Sequence, residues 1–310
     1  MRLNLGDRVR TANDAQARIR CADLTTVWVL YSNLERGVAS GCPQDLFSTR
    51  LRIGQQSDNA PGGSDSAIPY VMSPRRTAVL DAQPLLRWNA VPGVERYTVQ
   101  VVGLNVNWET EVTGTEVQYA GSPLTPGLEY RVIVEADDGW SSQLDAGAET
   151  ATFELLYPED IENLQADIVK LAEAELSGEA QALALADIYI HEDLLADAVN
   201  ILEPLVVSGT NTFEVYQVLG DIYRYIGLNL LAEERYEQAI AIASTNDVPE
   251  GIANAQAGLA EVKVMLDQPD AAIDLLTQAK NYYEALEDAE RAEELEERLE
   301  ELRSFSLITR

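Results

Sequence analysis

The sequence predicts a multi-domain chain, β then α: a small β unit, a β-sandwich, then an α-helical repeat solenoid. Three observations carry this. Up to Tyr157, apolar and polar residues alternate in short runs broken by Gly, Pro, Asn and Asp, the pattern of strands and turns. From Pro158 the apolar residues recur three and four apart, the period of helices. Within that helical half, residues 179–209 align with 213–241 at a shift of 34, the mark of a repeat array.

Charge divides the chain in the same place. Of 310 residues, 22 are basic and 52 acidic, a net charge of −30. Residues 158–310 hold 9 basic and 33 acidic side chains, and residues 1–157 hold 13 and 19. A field of that sign repels phosphate backbones and anionic lipid, so nucleic-acid binding is excluded and basic or neutral protein segments are favoured. No run of 18 apolar residues occurs, and no membrane span is expected. The N-terminus MRLNLGDRVR lacks an apolar signal core. The expected compartment is the periplasm or cell envelope for a chain whose signal has been removed, and otherwise the cytoplasm.

Residues 1–53 read as the small β unit. LGDRVRTANDAQARIRCADLTTVWVLY alternates around Asn13-Asp14, which predicts a hairpin there. Arg8, Arg10, Arg18 and Arg20 are read as solvated strand surface, since no aromatic residues interleave them. Cys21 and Cys42 are the only cysteines. Two buried thiols and one Cys21–Cys42 disulfide are both open readings, the bridge being suited to an exported small unit. Two cysteines without a nearby histidine do not make a metal site. The run Gly6-Asp7-Arg8-Val9-Arg10-Thr11, followed by Ala17-Arg18-Ile19-Arg20, resembles the start of FecR-type domains, with Asp23-Leu24-Thr25 replacing their Asp-Gly-Ser turn. That resemblance implies an extracytoplasmic sensor or surface module. Residues 54–66, polar and Gly-rich, are expected to be a linker.

Residues 67–157 carry strand signals at intervals of a sandwich. Leu86 and Trp88 belong to one strand, and Tyr97, Val99 and Val101 to the next, across a Pro92-Gly93 turn. Two short strands flank Gly114, Tyr130, Val132 and Val134 share a face, and Phe153 lies in a final strand. The stretch resembles the fibronectin type III family through Trp88, Tyr97 and the corner string Leu124-Thr125-Pro126-Gly127-Leu128-Glu129-Tyr130. The resemblance implies that the Tyr130 hydroxyl bonds back to nearby backbone. Glu135, Asp137 and Asp138 before Gly139 lack a calcium-loop spacing and are read as a solvated turn. By strand spacing Trp108 is placed in the core, and Trp140, beside a glycine turn, on the surface.

Residues 158–310 form the helical half. Pro158 suits a first helical turn, and Ser177-Gly178 breaks the first helix. Tyr216, Leu219, Gly220, Tyr223, Ala232, Tyr236 and Ala239 fall at the signature positions of the tetratricopeptide repeat, so this half is similar to that family. Leu185, Ala186, Tyr189, Ala198, Leu202 and Leu205 form an earlier copy. Leu259, Ala260, Ala272, Leu276 and Ala279 form a later one, with Lys263 at a tyrosine position and an offset of 40. About six extra residues in STNDVPEG are expected to lengthen the turn before the third copy. Ala198, Ala232 and Ala272 let paired helices approach closely. YYEALEDAERAEELEERLEELRS, with Leu286, Leu295, Leu299 and Leu302 on one stripe, is expected to cap the stack. A dimerising helix is the other reading.

The resemblance also implies a partner-binding groove lined by the first helix of each pair. Its residues are Asp187, Ile190 and His191, then Glu214, Gln217, Asp221, Arg224 and Tyr225, then Asn254, Glu261, Val264 and Met265. Asp187, Asp221 and Glu261 occupy equivalent positions, so the groove is expected to be acidic and to suit a basic or mixed segment. His191 is the only histidine, and no GxGxxG, phosphate-binding loop or HExxH string occurs, so neither enzyme nor cofactor is expected. The expected function is a non-catalytic protein–protein interaction scaffold. The alternative is recognition of envelope polysaccharide by the β domains, with the helices for oligomerisation. The combination of domains resembles bacterial cell-envelope proteins, cyanobacterial ones among them.

Overall fold

A computed structural model describes residues 8–12, 17–20, 27–30, 35–37, 62–173, 176 and 178–308. In the N-terminal unit, β1 (Arg8–Arg10) pairs antiparallel with β4 (Glu35–Gly37), and β2 (Ala17–Arg20) with β3 (Val27–Leu30). The pairs are therefore not the hairpin expected across Asn13-Asp14, which would join β1 to β2. The reason lies in β3: VWVL is rich in β-branched and aromatic residues and takes β2 over four residue pairs, leaving β1 to β4. Cys21 and Cys42, and residues 54–61 of the expected linker, lie outside the described residues.

Eight strands follow. β5 (Val71–Ser73), β7 (Leu85–Trp88) and β10 (Glu116–Gln118) make one sheet, in the order β10-β7-β5. β6 (Thr77–Val79), β8 (Arg96–Gly103), β9 (Val106–Thr113), β11 (Glu129–Ala136) and β12 (Thr152–Leu155) make the other, in the order β6-β12-β11-β8-β9. Their inner faces meet as a sandwich. Leu86 and Trp88 from the first sheet share one core with Tyr97, Val99, Val101, Tyr130, Val132, Val134 and Phe153 from the second. The period of two thus delivers every expected apolar residue inward. Tyr130 is fully buried, and its hydroxyl accepts from Thr125 N at 2.7 Å. Trp108 packs edge-on to Tyr119 at 5.1 Å, while Trp140 is half exposed beside Gly139. β5 and β6, three residues each, gave no periodic signal in the sequence.

The helical half begins with α1 (Pro158–Ala172). Three antiparallel pairs follow: α2 (Gly178–His191) with α3 (Leu195–Val207), α4 (Phe213–Tyr225) with α5 (Asn229–Thr245), and α6 (Pro249–Met265) with α7 (Pro269–Ala285). α8 (Ala289–Ile308) closes the stack. Ala198, Ala232 and Ala272 are fully buried where the paired helices cross. Helices end on left-handed residues at Asp193, Gly209, Gly227, Asp247, Asp267 and Glu287. In each case the next amide bonds back five residues, as Leu228 N does to Tyr223 O at 2.8 Å, satisfying carbonyls the helix leaves open.

The extra residues of the third copy are placed differently from expectation. α5 and α6 have 17 residues each where α3 and α4 have 13, and the turn between them shortens from residues 208–212 to 246–248. The insertion lengthens two helices rather than a loop. Pro249, at the first position of α6, starts that helix early.

The sandwich and the array are packed together. Tyr70 joins the core of the first two helix pairs, and Ala78 joins Leu164 of α1 and Leu194. One tetrapeptide, Arg75-Arg76-Thr77-Ala78, reaches the turns inside both of the first two helix pairs. Ala78 N and Thr77 Oγ1 donate to Asp193 O, each at 2.9 Å, and Arg75 Nε donates to Ile226 O at 2.7 Å. Gly62 and Gly63, expected in the linker, are buried in this seam. Gly62 O accepts from Asn229 N at 3.3 Å, and Gly63 N donates to Asp145 Oδ1 at 2.8 Å. A Cβ on Gly62 would lie 2.3 Å from Arg75 Nη2, so only glycine fits beside the guanidinium.

Candidate partner-binding face

The anticipated groove residues fall on α2, α4 and α6, but in three different settings. On α2, Asp187 and His191 sit one turn apart, with His191 Nδ1 3.6 Å from Asp187 Oδ1 and 3.2 Å from Asp187 O. The His191 ring is half exposed. Ile190, also expected in the groove, is 4% exposed and belongs to the core under Tyr70. It faces inward because α2 packs on α3 through Leu183, Ala186 and Ile190, the three-and-four spacing of its buried stripe.

On α4, Glu214 and Gln217 are half-buried at the first turns. Asp221 accepts from Tyr236 Oη at 2.6 Å, and Arg224 Nε donates to the same hydroxyl at 3.3 Å. Burial raises the Asp221 carboxyl to about 6, while Arg224 and the tyrosine hydroxyl oppose the rise. The phenol is locked in position. A Cβ on Gly220 of α4 would lie 2.8 Å from the Tyr236 ring, and one on Gly258 of α6 would lie 2.5 Å from it. The ring is therefore clamped between two helices that only glycine lets come so close. Tyr225 lies under a guanidinium of the sandwich, with Arg76 4.5 Å from its ring centroid.

On α6 the expected groove is occupied by the chain itself. Arg298 of α8 donates from Nε to Glu261 Oε1 at 2.9 Å and from Nη2 to Oε2 at 2.7 Å, a bidentate pair. Seven residues earlier, Arg291 Nη1 donates to Asn254 Oδ1 at 2.9 Å, and the Tyr283 hydroxyl donates to the same oxygen. Ala292, Leu295, Leu299 and Leu302 of α8 pack into the core of α6 and α7. α8 is thus an arginine-bearing helix on an acidic face. Of the three equivalent acids, Glu261 is neutralised by α8, Asp221 is buried with Tyr236, and Asp187 is largely buried beside the half-exposed His191.

No periodic pattern points to the Arg75 clasp, which lies between two three-residue strands. Arg75 is 1% exposed, and it donates from Nη2 to Asp145 Oδ2 at 3.1 Å and to Gly147 O at 2.8 Å. Burial lowers its pKa and Asp145 pulls it back up. The only legible hint was two adjacent arginines between strand signals.

The alternative reading needs an aromatic face on the sandwich. Trp140 and Tyr157, both half exposed, sit at opposite ends of β11: Trp140 lies past its last residue, its carbonyl accepting from Ala136 N, and Tyr157 lies against Gly127 before its first. A depression of about 340 Å³ on the sandwich is lined by Arg131, Val132, Ile133, Ser142, Gln143, Ala148 and Glu149, without an aromatic residue. Among the described residues no group of three or more His, Cys, Asp or Glu side chains is placed to hold a metal ion, and no helix is long and apolar enough to cross a membrane.

No family profile matches the sequence, and no curated relative matches it significantly. Solved structures similar to the helical region include BtubC of P. vanneervenii, with a TM-score of 0.40, 17% identity and 47% of this chain covered. The match spans 65% of the BtubC chain, less than two thirds of its length. MamA matches with a TM-score of 0.32 and 20% identity, covering 49% of this chain and 98% of its own. A putative kinesin light chain of P. anserina, described by its nearly identical TPR-like repeats, matches with a TM-score of 0.33 and 20% identity, covering 48% of this chain and 87% of its own.

Proposed function

We propose that the chain is a non-catalytic protein–protein interaction scaffold whose helical array holds a basic segment of a partner on the face of α2 and α4. The observation that supports this is α8, which the array already receives in that manner. The Arg298–Glu261 pair, with Arg291 on Asn254, is an intramolecular example of arginine side chains, here carried by an otherwise acidic helix, seated on this acidic surface. On α2 and the start of α4 the corresponding groups are Asp187 with His191 beside it, Glu214 and Gln217, and in this reading the partner segment lies along them. Asp221, Arg224, Tyr225, Asn254 and Glu261 then support the face from within. Arg76 and the sandwich close its turn side.

We read the helical pairs as tetratricopeptide-like and the sandwich as fibronectin type III-like. For the sandwich, the strand order and the Tyr130 corner favour that reading. The FecR-type likeness of the N-terminal unit is retained on its sequence alone. Polysaccharide recognition is not favoured, since Trp140 and Tyr157 do not share a face. The test is affinity capture from native-host lysate with the full chain and with Asp187→Asn/Glu214→Gln. A basic partner held by the first and lost by the second supports the proposal. A partner held equally by both removes it.

A further inference from the structure

The sandwich has four sheet edges, of which three are short or covered. β5 is three residues long with a register shift against β7, and β10 is three residues long. β6 is covered by the array, its Ala78 N donating to Asp193 O. β9 is different. It has eight residues, pairs with β8 through eight successive residue pairs without a bulge, and contains no Pro, Gly or Lys. Among the described residues it pairs with β8 alone. Alternate residues along β9 direct backbone N–H and C=O groups away from β8, which is a template for another strand.

The side chains of β9 select what that strand is. Val106, Trp108 and Val112 face the core, while Glu109 and Glu111 are exposed on the outer face. A second copy of β9 added in a centred antiparallel register sets Glu109 against Glu111, or either against itself. Like charges directly opposite each other are unfavourable in a sheet, and opposite charges are favourable. The edge is thus closed to its own kind and open to a basic strand.

We propose that β9 is a strand-addition site for an extended partner segment carrying Arg or Lys at alternate positions, with two of those residues facing Glu109 and Glu111. Backbone bonds supply affinity, and the glutamates supply specificity. The site is separate from the helical face.

The test uses the full chain and an eight-residue peptide alternating Arg with Val and Thr, the length of β9. Binding is read by fluorescence anisotropy and by hydrogen exchange of the β9 amides. A second peptide of the same sequence is N-methylated at every other amide, keeping its charge but losing its outward bonds on one edge. The expected result is binding of the first peptide with protection of β9, at least about tenfold weaker binding to Glu109→Lys/Glu111→Lys, and loss of binding by the methylated peptide. Failure of the first peptide to bind overturns the proposal. So does equal binding of both peptides, or affinity unchanged by the charge reversal, since the peptide is then held by acidic surface elsewhere.

Discussion

The two ends of the helical array solve one problem in opposite ways. At the first two pairs the turns are held from outside, by Arg75 and Thr77 of the sandwich on the carbonyls of Ile226 and Asp193. At the third pair the face is held by α8 through Arg291 and Arg298. The same repeat position carries an acid in all three pairs, yet it lies beside His191 on α2, is buried against Tyr236 on α4 and is paired with Arg298 on α6. Repeat position decides where a side chain sits. Its neighbours decide what that side chain does.

The largest effect is expected at the sandwich end. Arg75→Ala leaves the Asp145 carboxylate buried without its cation and removes the guanidinium donors to the Ile226, Gly147 and Val71 carbonyls. Breaking a buried pair from one side costs about 3–5 kcal/mol. Urea unfolding of the full chain is expected to show that loss, with part of it restored in Arg75→Ala/Asp145→Ala. A loss no larger than that of a surface arginine would mean that the two domains are held by their apolar contacts alone.

Arg298→Ala is expected to act more locally. Glu261 keeps its place on α6 but loses both charge-assisted bonds, at a cost of roughly 1–3 kcal/mol. Hydrogen exchange should rise along α8 while α2 to α5 stay protected. Equal loosening of α2 would contradict the separation of the two ends.

Much of this was legible in the sequence. The 34-residue recurrence placed the helices, and alternation placed Leu86, Trp88, Tyr97 and Tyr130 in the sandwich core, because both periods follow directly from backbone geometry. What was illegible depended on contacts distant in sequence. Arg75 meets Ile226 across 151 residues, and Arg298 meets Glu261 across 37. Neither pairing leaves a local pattern. The insertion in the third copy was misplaced because STNDVPEG contains turn formers, while Pro249 begins α6 and the helix before it runs on to Thr245.

The smallest stability effect expected is a pH dependence. Asp221 and Asp197 both titrate near 6 in the fold, raised first by burial from a usual value near 4, and Asp81 adds to the rise at Asp197. Each therefore binds more protons folded than unfolded between about pH 4 and pH 6. The stabilisation from protonation is full below pH 4 and is lost as pH rises through 6. Relative to Asp197→Asn or Asp221→Asn, the wild type should gain on the order of 2 kcal/mol or less per site between pH 7 and pH 4. Flat differences would place both carboxyls in contact with water.

A partner is proposed to bind the α2 and α4 face of the array. The most direct measurement is titration calorimetry of the captured partner against the full chain, Asp187→Asn/Glu214→Gln and Arg298→Ala, at low and high salt. Binding is expected to weaken with salt, to be lost in Asp187→Asn/Glu214→Gln and to be kept in Arg298→Ala. Binding lost with Arg298→Ala but kept with Asp187→Asn/Glu214→Gln would place the site at the capped end and contradict the proposal.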